Sequence, residues 1–385
     1  MRATYLLEHY RAFKVEEIKG RYLSYPNLVT YLKNLPAYMR LTTEGTSVWG
    51  ENIYSIEFGN GPKKILMWSQ MHGNESTTTK AVLDLLEFIV TDQNDDFKNS
   101  VMELCTLKII PVLNPDGLIN YTRVNAKEVD LNRDASNLTQ PESKILRRVF
   151  EEFEPEYGFN LHDQRTIFSA GKQNKPATVS FLAPAYNEAR EVNETRKKAM
   201  QVIVGMNEYL QTVIPNQIGR YDDGFNLNCV GDYFQSRGTS TILFEAGHFP
   251  EDYDREETRK YIFLALYSAL TEIISSDYRN KEIEGYQEIP ENEKLYYDII
   301  IKNAEVNGAV KDVAIQYEES LRNNRLHWLP KVQGVGDFTN FFAHKTVNAK
   351  NKILRINGVK NFENETYIEE ISLNNEIFSM KLTNS

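Results

Sequence analysis

The sequence has 385 residues, of which 41% are hydrophobic and 25% charged, with a formal net charge of −10. That length exceeds what one core usually holds, so it predicts a large domain plus a smaller one. The acidic balance and the absence of any long basic run argue against a nucleic-acid partner. The first residues, MRATYLLEHYRAFKVEE, contain no apolar stretch of signal-peptide length, and nowhere do about 18 apolar residues run together. No membrane span is therefore expected, and a cytoplasmic location is the default expectation. Two cysteines, Cys105 and Cys229, allow at most one disulfide. Both fall in or near apolar strand-like segments, where buried thiols are expected.

Residues 1–47 read as a helical extension packed on the next domain, with YPNLVTYLKNL (25–35) its clearest helix. NIYSIEFG (52–59) alternates and predicts a strand, NGPKK (60–64) a turn, and ILMWSQ (65–70) a buried second strand, the two forming a hairpin candidate. TTTKAVLDLLEFIV (77–90) has helical periodicity, with Ala81, Val82, Leu85, Phe88 and Ile89 facing inward. A further buried strand lies within 102–113. A proline-started helix covers 141–153, a short strand 157–163, a helix 186–214, a strand 239–247 and a helix 255–274. Strands alternating with helices predict an open α/β sheet covered on both faces. The polar run 277–294 reads as a linker. The catalytic domain is accordingly drawn over 48–280, and a small mixed α/β accessory domain with at least one helix over 286–385, its expected role to brace the catalytic domain.

In open α/β sheets, ligands bind beyond the carboxyl ends of the strands. Several chemically marked segments occupy that position. His72 and Glu75 follow strand 65–70, the loop TRVNAKEVDLNR (122–133) follows the strand within 102–113, His162 ends strand 157–161, and Glu245 ends strand 241–244. Two imidazoles, one carboxylate and an open position form a catalytic zinc arrangement, although each histidine by itself also fits a hydrogen-bonded core residue. A glutamate at a buried strand end requires a partner or a purpose, and a general base is one such purpose. Arg123 and Arg133 suit anion work: stabilising an oxyanion, or forking onto a carboxylate. Asp130 is placed to orient a ligand imidazole. NPDG (114–117) is in itself a strong turn sequence.

Taken in order, HxxE, NPDG, TRxNxxxVDLNR, a strand-end histidine and FE resemble the zinc carboxypeptidase family (M14), the funnelin-type metallocarboxypeptidases, over about residues 48–275. The resemblance implies a mixed, mostly parallel eight-stranded sheet with helices on both faces, plus here a small C-terminal domain. It implies one zinc ion per chain held by His72, Glu75 and His162, with Glu245 as general base and Arg123 polarising the scissile carbonyl. Asn132 and Arg133 would grip the substrate carboxylate, and Asp130 would hold the first ligand histidine. Tyr221 would take the place of the family's mobile tyrosine, with Tyr233 as competitor.

The implied activity is hydrolysis of the C-terminal peptide bond of peptides. The alternative is deacylation of small N-acyl amino acids, because Asn74, between the first two ligands, is similar to the aspartoacylase and succinylglutamate desuccinylase relatives. Asp163 and Gln164 also depart from the carboxypeptidase pattern beside the third ligand. Within the stretch 225–240, expected to line the side-chain pocket, Asp232 would favour a basic substrate residue and Arg237 an acidic one. A metal-free binding module on the same scaffold is the non-enzymatic alternative. No nucleic-acid or membrane partner is expected, and the sequence does not specify an oligomeric state.

Overall fold

The computed structural model describes residues 2–91, 95–374 and 376–378. The chain divides into two compact units, the first made of Met1–Gln164 and Ala177–Asn292, the second of Arg165–Pro176 and Glu293–Ser385.

The first unit is built on β1 (Arg40–Thr46), β2 (Asn52–Phe58), β3 (Lys63–Ser69), β4 (Cys105–Ile110) and β5 (Tyr157–Asp163). After the two-residue β6 (Ser169–Ala170), which belongs to the second unit, come β7 (Val179–Leu182), β8 (Ile218–Arg220) and β9 (Ser240–Ala246). The eight strands other than β6 form one sheet in the order β1-β2-β4-β3-β5-β9-β7-β8. β3 runs parallel to β4 and β5, β5 to β9, and β7 to β8. The β1/β2, β2/β4 and β7/β9 pairs are antiparallel. The expected mixed, mostly parallel eight-stranded sheet is therefore present.

The helices are α1 (Arg2–His9), α2 (Tyr25–Lys33), α3 (Thr77–Thr91), α4 (Asp95–Leu104), α5 (Pro115–Asn120), α6 (Pro141–Phe153), α7 (Glu194–Gln211), α8 (Val230–Ser236), α9 (Glu256–Ser275) and α10 (Glu284–Gln287). They cover both faces, and β3 shows why its sequence is apolar throughout. Successive side chains point to opposite faces. Ile65 and Met67 join the core with α3, α7 and α9, whereas Leu66 and Trp68 join the core with α6 and α8. On the second face, Trp68 meets the edge of Phe234 at 5.1 Å, and Phe234 stacks on Phe150 at 3.8 Å. Burial of each such side chain contributes roughly 1.5–3 kcal/mol.

Strands β3, β4, β5 and β9 are mutually parallel, so their carboxyl ends lie along one edge of the sheet. At or beyond those ends come His72 and Glu75, the loop 122–133, His162 and Glu245.

Some expectations require correction. β2 and β3 do not form a hairpin, because β4 lies between them. The turn glycines of Gly59-Asn60-Gly61 permit this. A Cβ on Gly61 would lie 2.0 Å from the Leu104 carbonyl carbon, and Gly59 has φ +80°. Residues 1–47 are not wholly helical, since 40–46 form the edge strand β1, whose polar side chains suit an edge. The helix expected over 186–214 is shorter, starting at the cap of Asn193, whose side chain accepts from Arg196 N. The expected linker 277–294 belongs mostly to the first unit, because Tyr278, Tyr286 and Ile289 anchor it in the main core.

Buried charges stitch residues 10–22 into this unit. Arg259 on α9 pairs with Asp84 on α3 and donates to the carbonyls of Val15 (3.1 Å) and Ile18 (2.6 Å). Asp84 in turn accepts from the Tyr10 hydroxyl and from Val15 N–H. Lys80 donates to Gly20 O, and Glu256 accepts from Gly20 N–H while pairing with Lys14.

In the second unit, the described residues of 293–385 form strands and no helix, contrary to the expected mixed α/β domain. Following β10 (Asn292–Glu293) at the chain crossing, β11 (Tyr296–Val306), β12 (Ala309–Arg322), β13 (Arg325–Gly336) and β14 (Phe342–Asn348) make one sheet, ordered β13-β12-β11-β14. β15 (Leu354–Ile356), β16 (Ile371–Leu373) and β17 (Glu376–Phe378) make another. Two-residue turns fix the first hairpins. Asn307-Gly308 has φ +54° and +75°, and Asn323-Asn324 has φ +52° and +57°, as tight hairpins of twisted strands require. Ile299, Ile301, Val313, Ile315, Val332 and Leu354 are among its core residues.

Candidate metal centre

His72 and Glu75 stand in the loop between β3 and α3. The chain leaves β3 through Gln70 in the left-handed region (φ +50°) and turns sharply. Gly73 then lies against the 114–117 segment so closely that a Cβ there would sit 1.9 Å from the Gly117 carbonyl carbon. The NPDG stretch, read as a turn, is in fact the start of α5. Asn114 caps it by accepting from Gly117 N–H (2.9 Å), and Pro115 occupies the first turn. Asn114 also donates from Nδ2 to Met71 O (3.1 Å), which braces the ligand loop.

His162 is the penultimate residue of β5, and Glu245 that of β9. The side chains of His72, Glu75 and His162 converge, with one potential ligand atom from each lying within 4.8 Å of the others. His72 Nδ1 is 2.9 Å from Glu75 Oε1, and His162 Nδ1 is 2.9 Å from Glu75 Oε2 and 3.1 Å from His72 Nδ1. Asp130 Oδ1 lies 3.0 Å from His72 Nε2. This contact places the ring proton on Nε2 and turns the Nδ1 lone pair toward the centre. Burial lowers the His162 pKa and so keeps that ring neutral. Burial would raise the Glu75 carboxyl, but His72 and His162 beside it hold it well below the usual range. Burial disfavours a charged His72, but Glu75 and Asp130 raise its pKa above the ordinary value, so a bound cation would take the place of its Nδ1 proton. Two imidazoles and one ionised carboxylate fit a divalent metal ion.

The loop 122–140 brings the remaining polar groups. Asn125 anchors it, accepting from Lys127 and Val129 N–H and donating to Gln140 and Glu142. Arg123 reaches Glu75 Oε1 with Nη1 and Asp130 Oδ2 with Nε, both at 3.2 Å, and is 48% exposed. The Asp130 carboxyl, which burial alone would raise, is held well below its usual range by the His72 hydrogen bond and by the charges of His72 and Arg123. Asn132 accepts from Val230 N–H at the start of α8 (3.1 Å). Arg133 is exposed and lies 3.0 Å from Cys229 Sγ. Both cysteines are free thiols.

Glu245 is half-buried, and its Oε2 is enclosed with no hydrogen-bond partner. Burial and the negative charges of Glu75 and Asp163 push its pKa well above the usual carboxyl value. Tyr221 is near enough to feel the charges of Glu245 and Glu75, which together with burial raise its phenol pKa, and it is hydrogen-bonded to Asn292. Its competitor Tyr233 lies elsewhere, with Arg147 stacked on its ring at 3.7 Å and Arg237 Nε donating to its hydroxyl. Arg237 is thereby engaged away from the ligands. Asp232 is buried, accepts from Asn226 N–H and has its pKa pushed up to about 7 by burial.

Sequence reasoning passed over the residues that hold the ligands in place. The Asp163 carboxylate accepts from Thr77 N–H (3.0 Å), Thr77 Oγ1 (2.6 Å) and Thr78 N–H (3.2 Å), thus capping α3, and it pairs with the buried Arg21. Arg255 donates to the carbonyls of Gln164, Ala246 and Gly247, fastening the ends of β5 and β9 together. The buried-strand-end position of Asp163 was a usable signal; nothing in the sequence marked Arg21 or Arg255.

The zinc carboxypeptidase (peptidase M14) family model matches residues 27–223, more than half of the chain. This chain belongs to the zinc carboxypeptidase family. The match includes His72, Glu75, Arg123, Asp130, Asn132, Arg133 and His162; Glu245 and the segment before residue 27 lie outside it. Carboxypeptidase D of Rattus norvegicus is 32% identical over 148 residues, 33% of this chain and 11% of that protein. Carboxypeptidase 2 of Trichophyton tonsurans is 27% identical over 190 residues, 48% of this chain and 33% of that one. The chain spans at most about a third of the length of these curated relatives. In fold it is similar to a metallo-carboxypeptidase from Burkholderia cenocepacia, with TM-score 0.54 and 17% identity, over 66% of this chain and 70% of that one. Among the described residues, no helix is long and apolar enough to cross a membrane.

Proposed function

We propose that this zinc carboxypeptidase family member is a zinc-dependent exopeptidase that hydrolyses the last peptide bond of a peptide. The observation that carries the reading is Glu245: it lies in register with His162 on the adjoining parallel strand, and its enclosed Oε2 has no protein partner. One zinc ion per chain, held by His72, Glu75 and His162, supplies the Lewis acid of the reaction when bound.

The remaining steps belong to the chain's own side chains. Glu245, with its proton affinity raised by burial, takes a proton from the attacking water and gives it to the leaving amine nitrogen. The water oxygen adds to the carbonyl carbon, the carbon–nitrogen bond breaks, and a shortened peptide and a free amino acid result. Arg123, exposed beside Glu75, donates to the oxygen that becomes negative in the tetrahedral state. Asn132 and Arg133 bind the terminal carboxylate of the peptide. Tyr221, near enough to Glu245 and Glu75 to feel their charges, contacts the substrate.

Peptides with free C-termini, the same peptides amidated, and N-acyl amino acids should be offered to the zinc-loaded protein. Release of the last residue from free peptides, with amidated ones at least about 100-fold slower, is expected for a lost charge-assisted carboxylate contact. Equal cleavage of both would remove the carboxylate clamp, and turnover of N-acyl amino acids alone would replace the peptide substrate.

A further inference from the structure

We infer that Arg21 is a positioning residue for the metal centre, supplied by the N-terminal segment and acting through Asp163. This inference rests on the reading of His72, Glu75 and His162 as metal ligands.

Two ligands come from the loop ahead of α3 and the third from β5, so the centre depends on how α3 is joined to β5. Asp163 makes that joint. Its backbone N–H donates to Glu75 Oε2 at 3.1 Å, beside the 2.9 Å contact of the same oxygen with His162 Nδ1. Its carboxylate takes the first N–H groups of α3, at Thr77 and Thr78, only two and three residues after Glu75. One residue thus fixes the second ligand from both sides and is the direct neighbour of the third.

A buried carboxylate so placed needs a counter-charge. Arg21 provides it, 5% exposed, with Nη1 on Asp163 Oδ2 and on Thr77 Oγ1 (2.9 Å). Ser76, the residue after Glu75, returns the contact by donating from its hydroxyl to Arg21 O (2.6 Å). Arg21 itself is held by its neighbours, since Gly20 is gripped by Lys80 on α3 and Glu256 on α9. The segment therefore holds the ligand loop at Ser76 and Thr77, whereas Asp130 holds it at His72. Without Arg21, the Asp163 carboxylate beside Glu75 loses its direct ion pair and keeps only its hydrogen bonds to Thr77 and Thr78 to hold α3.

The test measures zinc affinity by competition with a chromogenic chelator on the full chain, together with thermal midpoint and circular dichroism. The chains compared are wild type, Arg21→Met, Arg21→Lys, Asp163→Asn, Arg21→Met/Asp163→Asn and His72→Ala. Arg21→Met is expected to bind zinc about 10- to 100-fold more weakly, the usual effect of losing a group behind a metal ligand. Arg21→Lys should restore most of the affinity, and the double variant should lose less than the two single changes combined. Zinc affinity unchanged in Arg21→Met overturns the inference. Additive losses in the double variant overturn action through Asp163; if Arg21→Met folds poorly, full zinc affinity in Asp163→Asn overturns it instead. Equal binding by His72→Ala and wild type would instead overturn the metal-site reading itself.

Discussion

His162 and Glu245 stand opposite one another in the register of the parallel strands β5 and β9, so both side chains leave the same face of the sheet one residue before its edge. This relationship makes the proposed base as rigidly placed as the proposed ligand. Glu245→Gln keeps the shape of the side chain and removes its proton affinity. We expect a fall in kcat of about 100- to 10,000-fold with zinc content unchanged. Loss of zinc along with activity would show that Glu245 serves the metal centre and not the proton transfer.

Metal removal separates the site from the scaffold. The sheet and its two cores are built from apolar contacts that do not involve the three ligands, so the chelated protein should stay folded yet inactive. Zinc at 100 times its Kd should stabilise it by about 2.7 kcal/mol, a rise in thermal midpoint of about 5 °C. His72→Ala should abolish that rise. Unfolding on chelation, read by circular dichroism, would contradict this division.

Gly73 offers a test of the ligand loop that touches no ligand. A side chain there would overlap the backbone of Gly117, so Gly73→Ala must push the loop off α5. The expected cost is about 1–3 kcal/mol in stability, with weakened zinc binding. Gly336→Ala serves as control, since a Cβ there meets open space. Equal zinc affinity in the two variants would show that the loop tolerates displacement.

The charge cluster around Glu256 predicts acid sensitivity. Burial would raise this carboxyl, but Lys80, Arg259 and Lys14 hold it at about 2 against an ordinary 4.5. A folded pKa below the unfolded one contributes stability that is complete above pH 4.5 and lost as pH falls toward 2. The full effect is roughly 3 kcal/mol. Urea unfolding between pH 6 and pH 2 should fall more steeply for wild type than for Glu256→Gln. Parallel curves would mean that the surrounding cations compensate for one another.

The ligands were readable because each lies at or just beyond the carboxyl end of an apolar strand, where a polar residue has few other uses. Glu245 and His162 could be named separately, yet their register could not, since it depends on which strands become neighbours. The same limitation hid β4 between β2 and β3, a placement that depends on contacts of Gly59 and Gly61 with the chain at 101–105. Arg21 and Asp163 are 142 positions apart, and nothing local signals that they pair. The second unit was misread for another reason: its Asn307-Gly308 turn is a strong hairpin signal that composition alone, rich in Asn and Lys, does not convey. The supposed linker was misread because single aromatic anchors, Tyr278 and Tyr286, outweigh a polar background once they are buried.

The chain crosses between its units three times, after Gln164, after Pro176 and after Asn292. The first crossing comes two residues after His162, and the last follows Asn292, which donates to Gln164 and Ser180. The smaller unit is therefore not a detachable tail. A stop codon placed after Asn292 would leave Arg165–Pro176 stranded without the fold they belong to. Anyone seeking a minimal catalytic fragment would have to excise two pieces and rejoin the chain between Gln164 and Ala177.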